Sequence, residues 1–267
     1  NKFALTTSCV LNAFKTSLRR KSTDVFDYLL AHTEYISYSI FSNVTQVNSL
    51  LSVTFETRDV ENAKKITDIV YKQNQKFDFS SSYVNAAILH VSEICKYFID
   101  KDVYLEFESL SAKEKDQLGR ISKDDFSTII QRVAPETKNE LMCAIDSAIR
   151  NKNIELAEFL FQEKAPSSNC LITAVETDDI QIVDFVLRYC NKPEIINKIS
   201  QKGTALSVAC NKGILEIVKK LLSIPEINPN LYCQKFKTPL IEAATFYNLD
   251  IVNALLDFYG DTIQSQK

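Results

Sequence analysis

From Gly203 the chain reads GTALSVACNKGILEIVKKLLSIPEINPN, and from Lys237 it reads KTPLIEAATFYNLDIVNALLDFYG. Thr204 maps onto Thr238, Leu206 onto Leu240, Ala209 onto Ala243, Val218 onto Val252 and Leu222 onto Leu256, always 34 residues apart. A fixed period of this size, built from a turn, a short helix, a tight loop and a longer helix, marks a stacked helical repeat. One such unit cannot bury its own apolar face, so neighbours must stack to make a core. Stacking leaves a long grooved surface. The first expectation is therefore binding of another macromolecule, ahead of chemistry.

The frame continues upstream in weaker form. NCLITAVETDDIQIVDFVL, from Asn169, aligns with the Gly203 unit at an offset of 35, with Ala174 on Ala209, Val183 on Val218 and Leu187 on Leu222. MCAIDSAIRNKNIELAEFLF, from Met142, follows at an offset of 26, with Ala148 on Ala174, Ile154 on Ile180 and Phe161 on Leu187. That shortened offset implies a repeat that has lost most of its connecting finger. All four units share a small residue on the first helix, then I/L-x-I/L-A/V-x-x-L/F-L/F on the second. Segments 17–30, 50–70 and 86–99 also read as pairs of short helices around a polar break, and Val60, Ala63, Ile66 and Val70 give one apolar stripe. The stretch 100–140 is polar and less regular. It holds a helix from Ser122 to Arg132, capped by Ser122 and stopped by Pro135. The expected organisation is divergent helical hairpins over 1–99, an irregular helical insertion or linker over 100–140, and a repeat array over 141–267.

Composition agrees with an all-α solenoid of stacked helical hairpins. Four Gly and six Pro in 267 residues are few for folds that need Gly at special backbone positions. A net charge of −3 gives no electrostatic footprint for nucleic acid. No apolar run approaches the length of a membrane span, and NKFALTTSCVLNAF lacks the apolar centre of a signal peptide. The chain opens at Asn1 without an initiator Met, which fits a segment of a longer protein. Its seven Cys (Cys9, Cys95, Cys143, Cys170, Cys190, Cys210 and Cys233) form no CxxC, and several fall where a helix should face a core. They read as buried reduced thiols of a cytoplasmic or nuclear protein.

The two clearest units resemble ankyrin repeats. Thr238-Pro239-Leu240 is similar to that family's TPL start and is followed by Ala243-Ala244, Leu249-Asp250-Ile251-Val252 and Leu255-Leu256. The unit before it keeps Thr204, Leu206, Ala209, Gly213, Glu216-Ile217-Val218 and Leu221-Leu222. Thr can cap the helix start, Pro has no N–H to leave unpaired, and Gly213 can take the positive φ that ends one helix. The family's His after TPL is replaced by Ser207 and Ile241, its Pro by Ala205, and its inter-helix Gly by Tyr247 and Asp178. Such departures resemble the divergent arrays of expanded protist families. The resemblance implies a protein-binding surface on the finger tips and inner-helix ends. Residue by residue, it points to Ser200, Gln201, Gln234, Lys235 and Lys237 on the fingers. On the helix ends it points to Arg150, Asn151, Glu176, Thr177, Asn211, Lys212, Thr245 and Phe246. Phe246 is a candidate anchor, because interface energy concentrates in buried aromatics; the alternative is an intramolecular contact with the next repeat or the C-terminal tail. Leu222 and Leu256 are expected to fill inter-repeat core positions.

Catalytic constellations are not legible. His32 and His90 stand apart, and there is no HExxH, phosphate-binding Gly loop or GxSxG. Asp124-Asp125 and Asp178-Asp179 fall at helix starts, where carboxylates complement the dipole. The basic run Lys15 to Lys21 reads as a solvated loop with Ser22 or Thr23 capping the next helix, with contact to a phosphate, an acidic partner or an anionic membrane surface as the alternative. The expectation is a non-enzymatic protein-interaction scaffold without cofactor, metal, nucleic acid or small-molecule substrate. The competing expectation is a substrate-targeting region of a larger enzyme or effector.

Overall fold

Each hairpin leaves its first helix through one residue in the left-handed backbone region. The computed structural model describes residues 6–32, 34–106, 110–132, 144–163, 166–233 and 237–265. Lys21, Arg58, His90, Lys152, Asp178, Gly213 and Tyr247 hold the turns, with φ between 53° and 76°. At each of these the N–H donates three residues back, as in Arg58 to Phe55 (3.1 Å), His90 to Ala87 (3.1 Å) and Gly213 to Cys210 (3.2 Å). In most of them the next N–H reaches back five residues, as in Asp59 to Thr54 (2.8 Å), Val91 to Ala86 (2.9 Å) and Asn153 to Ala148 (2.9 Å). This pair of bonds satisfies the free carbonyls of a helix C-terminus.

The turn residue sets a common register. Four positions before it stand Ser17, Thr54, Ala86, Ala148, Ala174, Ala209 and Ala243, all buried. Small side chains there let inner helices approach one another closely. Eight positions after every turn but the first stand Ile66, Phe98, Leu160, Val186, Leu221 and Leu255, none with any exposure, whereas Leu29, eight after Lys21, is half-buried. The upstream segments expected to be helical pairs thus use the same turn chemistry as the C-terminal repeats.

The described residues divide into two compact units, Asn1–Leu141 and Met142–Lys267. In the first, α1 (Thr7–Arg19) pairs with α2 (Thr23–His32), α4 (Val44–Thr57) with α5 (Val60–Gln73), and α6 (Ser80–Ile88) with α7 (Ser92–Asp100). Helices α1, α4 and α6 pack in succession, and α3 (Glu34–Phe41) is an extra helix lodged against α1 and α4. Phe14 sits between Phe26 and Phe41 at ring distances of 5.1 and 5.8 Å. A second aromatic cluster joins Phe77, Phe79, Tyr83 and Phe98. Helix α8 (Ala112–Gln117) opens with a reciprocal cap between Ser111 and Glu114. Helix α9 (Lys123–Arg132) is capped by Ser122, whose Oγ accepts from Asp125 N at 3.1 Å. Pro135, the expected stop, lies outside the described residues.

The second unit stacks four hairpins, α10 (Ala144–Arg150) with α11 (Ile154–Glu163), α12 (Cys170–Glu176) with α13 (Ile180–Leu187), α15 (Ala205–Lys212) with α16 (Leu215–Leu222), and α17 (Pro239–Thr245) with α18 (Leu249–Ser265). A single turn, α14 (Pro193–Ile196), lies between the second and third. The inner row runs α10, α12, α15, α17, and the outer helices α13, α16 and α18 pack in the same order. Thr204 Oγ1 accepts from Ser207 N (3.1 Å) and Thr238 Oγ1 from Ile241 N (3.4 Å), so both Thr residues cap as expected. Leu222 is 9% exposed, but Leu256 is 51% exposed, which corrects the expectation that it fills a core position. Ile241 and Ala244 are likewise exposed, whereas their counterparts Ser207 and Cys210 are buried. In the earlier repeat the following hairpin covers that face; among the described residues nothing covers it here.

No strand forms among the described residues beyond one isolated antiparallel bridge, Ser200 to Gly203. None of the described helices is long and apolar enough to cross a membrane.

Candidate functional site

The shared register puts the resemblance-derived residues at equivalent places. Arg150, Glu176, Asn211 and Thr245 each stand two residues before a turn residue, and Asn151, Thr177, Lys212 and Phe246 each stand one before. They are the C-terminal ends of α10, α12, α15 and α17, helices that pack in sequence. Several of them direct their side chains into their own helix ends. Asn151 Nδ2 donates to Ser147 O (2.8 Å), Thr177 Oγ1 to Ala174 O (2.7 Å) and Thr245 Oγ1 to Ile241 O (2.7 Å). Arg150 is exposed, and Phe246 is 47% exposed.

The polar members of neighbouring repeats are tied together. Lys202 Nζ lies 2.5 Å from Glu176 Oε1, and Lys212 Nζ donates to Glu176 O at 2.9 Å and to the Asp178 carboxylate. One repeat on, Asn211 Nδ2 donates to Glu242 Oε2 at 3.2 Å, while Lys237 Nζ sits 3.5 Å from the same oxygen. Exposed pairs of this kind add little stability, but they fix where charges stand. On the turn side, the Lys152 ammonium, 2.7 Å from Asp179, holds that carboxyl below its usual range. Asp179 also caps α13, accepting from Gln181 N at 3.0 Å.

The finger between the second and third hairpins closes through Ser200 N to Gly203 O (3.0 Å) and Gly203 N to Ser200 O (3.1 Å), with Gln201 exposed at its tip. Gly203 has φ +110°, and a Cβ there would stand 2.7 Å from Cys233 Sγ, so only glycine fits. In the next finger Cys233 N donates to Lys237 O at 2.9 Å. Its expected tip residues Gln234 and Lys235 lie outside the described residues.

Between finger and helix ends, Glu176, Lys202, Val208, Asn211 and Lys212 line an open cleft of about 450 Å³. The structure thus brings three expected residues, Glu176, Asn211 and Lys212, into one concavity. Lys202 and Val208 were not among the expected set. Lys202 adjoins the expected tip residue Gln201, and Val208 looks like an ordinary core position, with 7% exposure. At the far end of the row Phe246 adjoins Tyr247, which is 92% exposed although it occupies the left-handed turn. In the sequence Tyr247 shows only as the replacement of a glycine. Its projecting ring is a second aromatic on that edge.

Among the described residues, Cys95, Cys210 and His32 are each held in a packing role. Burial pushes the Cys95 thiol far up, and burial with nearby carboxylate charge pushes Cys210 to about 12. Both are protonated at neutral pH and unfit as nucleophiles. His32 stacks on Tyr28 at 3.9 Å, and its Nδ1 lies 2.9 Å from Tyr28 O. Among the described residues no group of three or more His, Cys, Asp or Glu is placed to hold a metal ion.

Residues 171–267 match the family of ankyrin repeats, in three copies. That segment is an ankyrin-repeat region, a type of module that generally binds proteins and is typically not catalytic. No curated protein matches the chain.

Proposed function

We propose that the ankyrin array holds a protein segment along the row of inner-helix ends and finger tips, and that the chain acts as a non-catalytic interaction scaffold. The partner's backbone and polar groups lie over Glu176, Thr177, Ser200, Gln201, Asn211 and Lys212, and an apolar side chain packs on Phe246. Arg150 and Asn151 extend the row at one end, Thr245 and Lys237 at the other. The observation that carries this reading is the pair of exposed aromatics, Phe246 and Tyr247, at the end of a row that also holds the cleft between the second and third hairpins. Exposing two large rings side by side forgoes burial, and interface energy concentrates in such residues. Prearranged charge pairs in the cleft supply orientation rather than bulk affinity.

The test is affinity capture from the native cell followed by titration of the recovered partner against variants of the full chain. Phe246→Ala, Tyr247→Gly and Lys202→Glu are expected to weaken binding about tenfold or more while leaving thermal unfolding within a few degrees. Lys219→Glu, on outer helix α16, is the control and leaves affinity unchanged. Full affinity in a chain carrying the three row changes together would remove the row from consideration.

A further inference from the structure

We propose that Cys170 and Cys190 form a disulfide that staples the second hairpin of the C-terminal unit. Cys170 opens α12 and Cys190 follows the end of α13, so the two residues stand at the ends of the hairpin opposite its Asp178 turn. Both are fully buried, and their sulfurs are 2.7 Å apart. A covalent S–S bond is about 2.05 Å, so less than ~1 Å of approach makes it. No other pair among the described cysteines has its sulfurs in hydrogen-bond contact; Cys233 Sγ instead meets Ser207 Oγ at 2.8 Å.

The chemistry places the first step before the hairpin closes and the second as closure brings the two sulfurs together. In the folded chain the thiol contact with Cys190, then burial, then nearby carboxylate charge push the Cys170 thiol far up, so it carries no thiolate at neutral pH. In the unfolded chain it ionises in the ordinary thiol range and is accessible. One thiolate attacks a low-molecular-weight disulfide, forming a mixed disulfide and releasing one small thiolate, which takes up a proton. The second protein thiolate then attacks the protein-side sulfur, closing the Cys170–Cys190 bond and expelling the second small thiol. Two protein thiols lose two hydrogens, and one small disulfide becomes two thiols. Folding then buries the bond away from reductant. The bond closes a loop of moderate length, and its larger effect is on the unfolded chain. It also fixes the hairpin that carries Glu176 and Thr177 of the proposed binding row.

The experiment uses the full chain, unfolded under reducing conditions, then refolded in a mixture of reduced and oxidised glutathione. The product is alkylated in denaturant and digested without reduction. The expected map joins the peptides of Cys170 and Cys190 at roughly 2 Da below their summed mass, with Cys95 and Cys210 alkylated. Wild type reduced in denaturant and refolded under reductant is expected to melt roughly 5–10 °C below the oxidised product, while the same treatment leaves Cys170→Ala and Cys190→Ala unmoved. Recovery of both cysteines alkylated, or either one joined to a different cysteine, overturns the proposal. The peptide map rests on the wild type alone, so it decides even where a variant fails to fold.

Discussion

Truncating Leu221 and Leu256 in turn discriminates sharply between a correct and a shifted repeat register. Leu221 has no exposure, and it stands eight residues after the Gly213 turn, where every hairpin but the first places a buried apolar side chain. Leu221→Ala removes three carbons, which at roughly 0.8 kcal/mol each forfeits about 2.4 kcal/mol of transfer free energy. Because Leu221 has no exposure, the space left is enclosed, and a cavity contribution of about 1–2 kcal/mol adds to it. The total is about 3–4 kcal/mol. Leu256 is 51% exposed, so the same truncation forfeits about half the transfer term, about 1.2 kcal/mol, and solvent fills the gap. Urea unfolding followed by circular dichroism measures both, read on the transition that carries the C-terminal unit. Equal losses at the two positions, or a larger loss at Leu256, would refute the register on which the packing argument stands.

Two further predictions concern the turns and one half-buried carboxyl. Gly213→Ala puts a Cβ at φ 76° and 3.2 Å from Asn248 Nδ2 and is expected to cost about 1–2 kcal/mol, whereas Lys21→Gly, at φ 53°, is expected to gain up to about 1 kcal/mol; chemical denaturation of both gives the signs, and like signs would contradict the turn analysis. Burial raises the Asp146 carboxyl, only partly offset by Ser167 Oγ at 2.7 Å and by Arg150. Because its folded pKa lies above its unfolded one, the folded state binds the extra proton, and stability rises as pH falls through the folded pKa toward the unfolded value. Asp146→Asn should therefore unfold at a higher temperature than wild type at pH 7, with the difference vanishing below about pH 4; a gap that widens on acidification would show the opposite shift.

The C-terminal repeats were legible because their signals are side-chain signals. Thr204 and Thr238 cap, Ala209 and Ala243 permit close approach, and Val218 packs in the core, each by residue type alone. The N-terminal hairpins were harder for a physical reason. None of their turns is marked by glycine, as Gly213 marks one in the C-terminal unit, and two of their three small inner residues are Ser17 and Thr54 rather than alanine. Cooperative packing overrides the local preference, so the register shows only in the backbone. The ends of the inner helices could be named in advance because they are periodic. The cleft could not, since Lys202 reaches Glu176 across 26 residues of sequence. Cys170 and Cys190 were treated as separate thiols for the same reason, being 20 residues apart and brought together only by hairpin closure.

Hydrogen exchange on the full chain, with and without the captured partner, tests the binding row most directly. The account predicts slowed exchange in peptides covering Glu176–Thr177, Ser200–Lys202, Asn211–Lys212 and Thr245–Tyr247, with the outer helices α13 and α16 unchanged. Slowed exchange confined to those outer helices, or to residues 6–132, would contradict it.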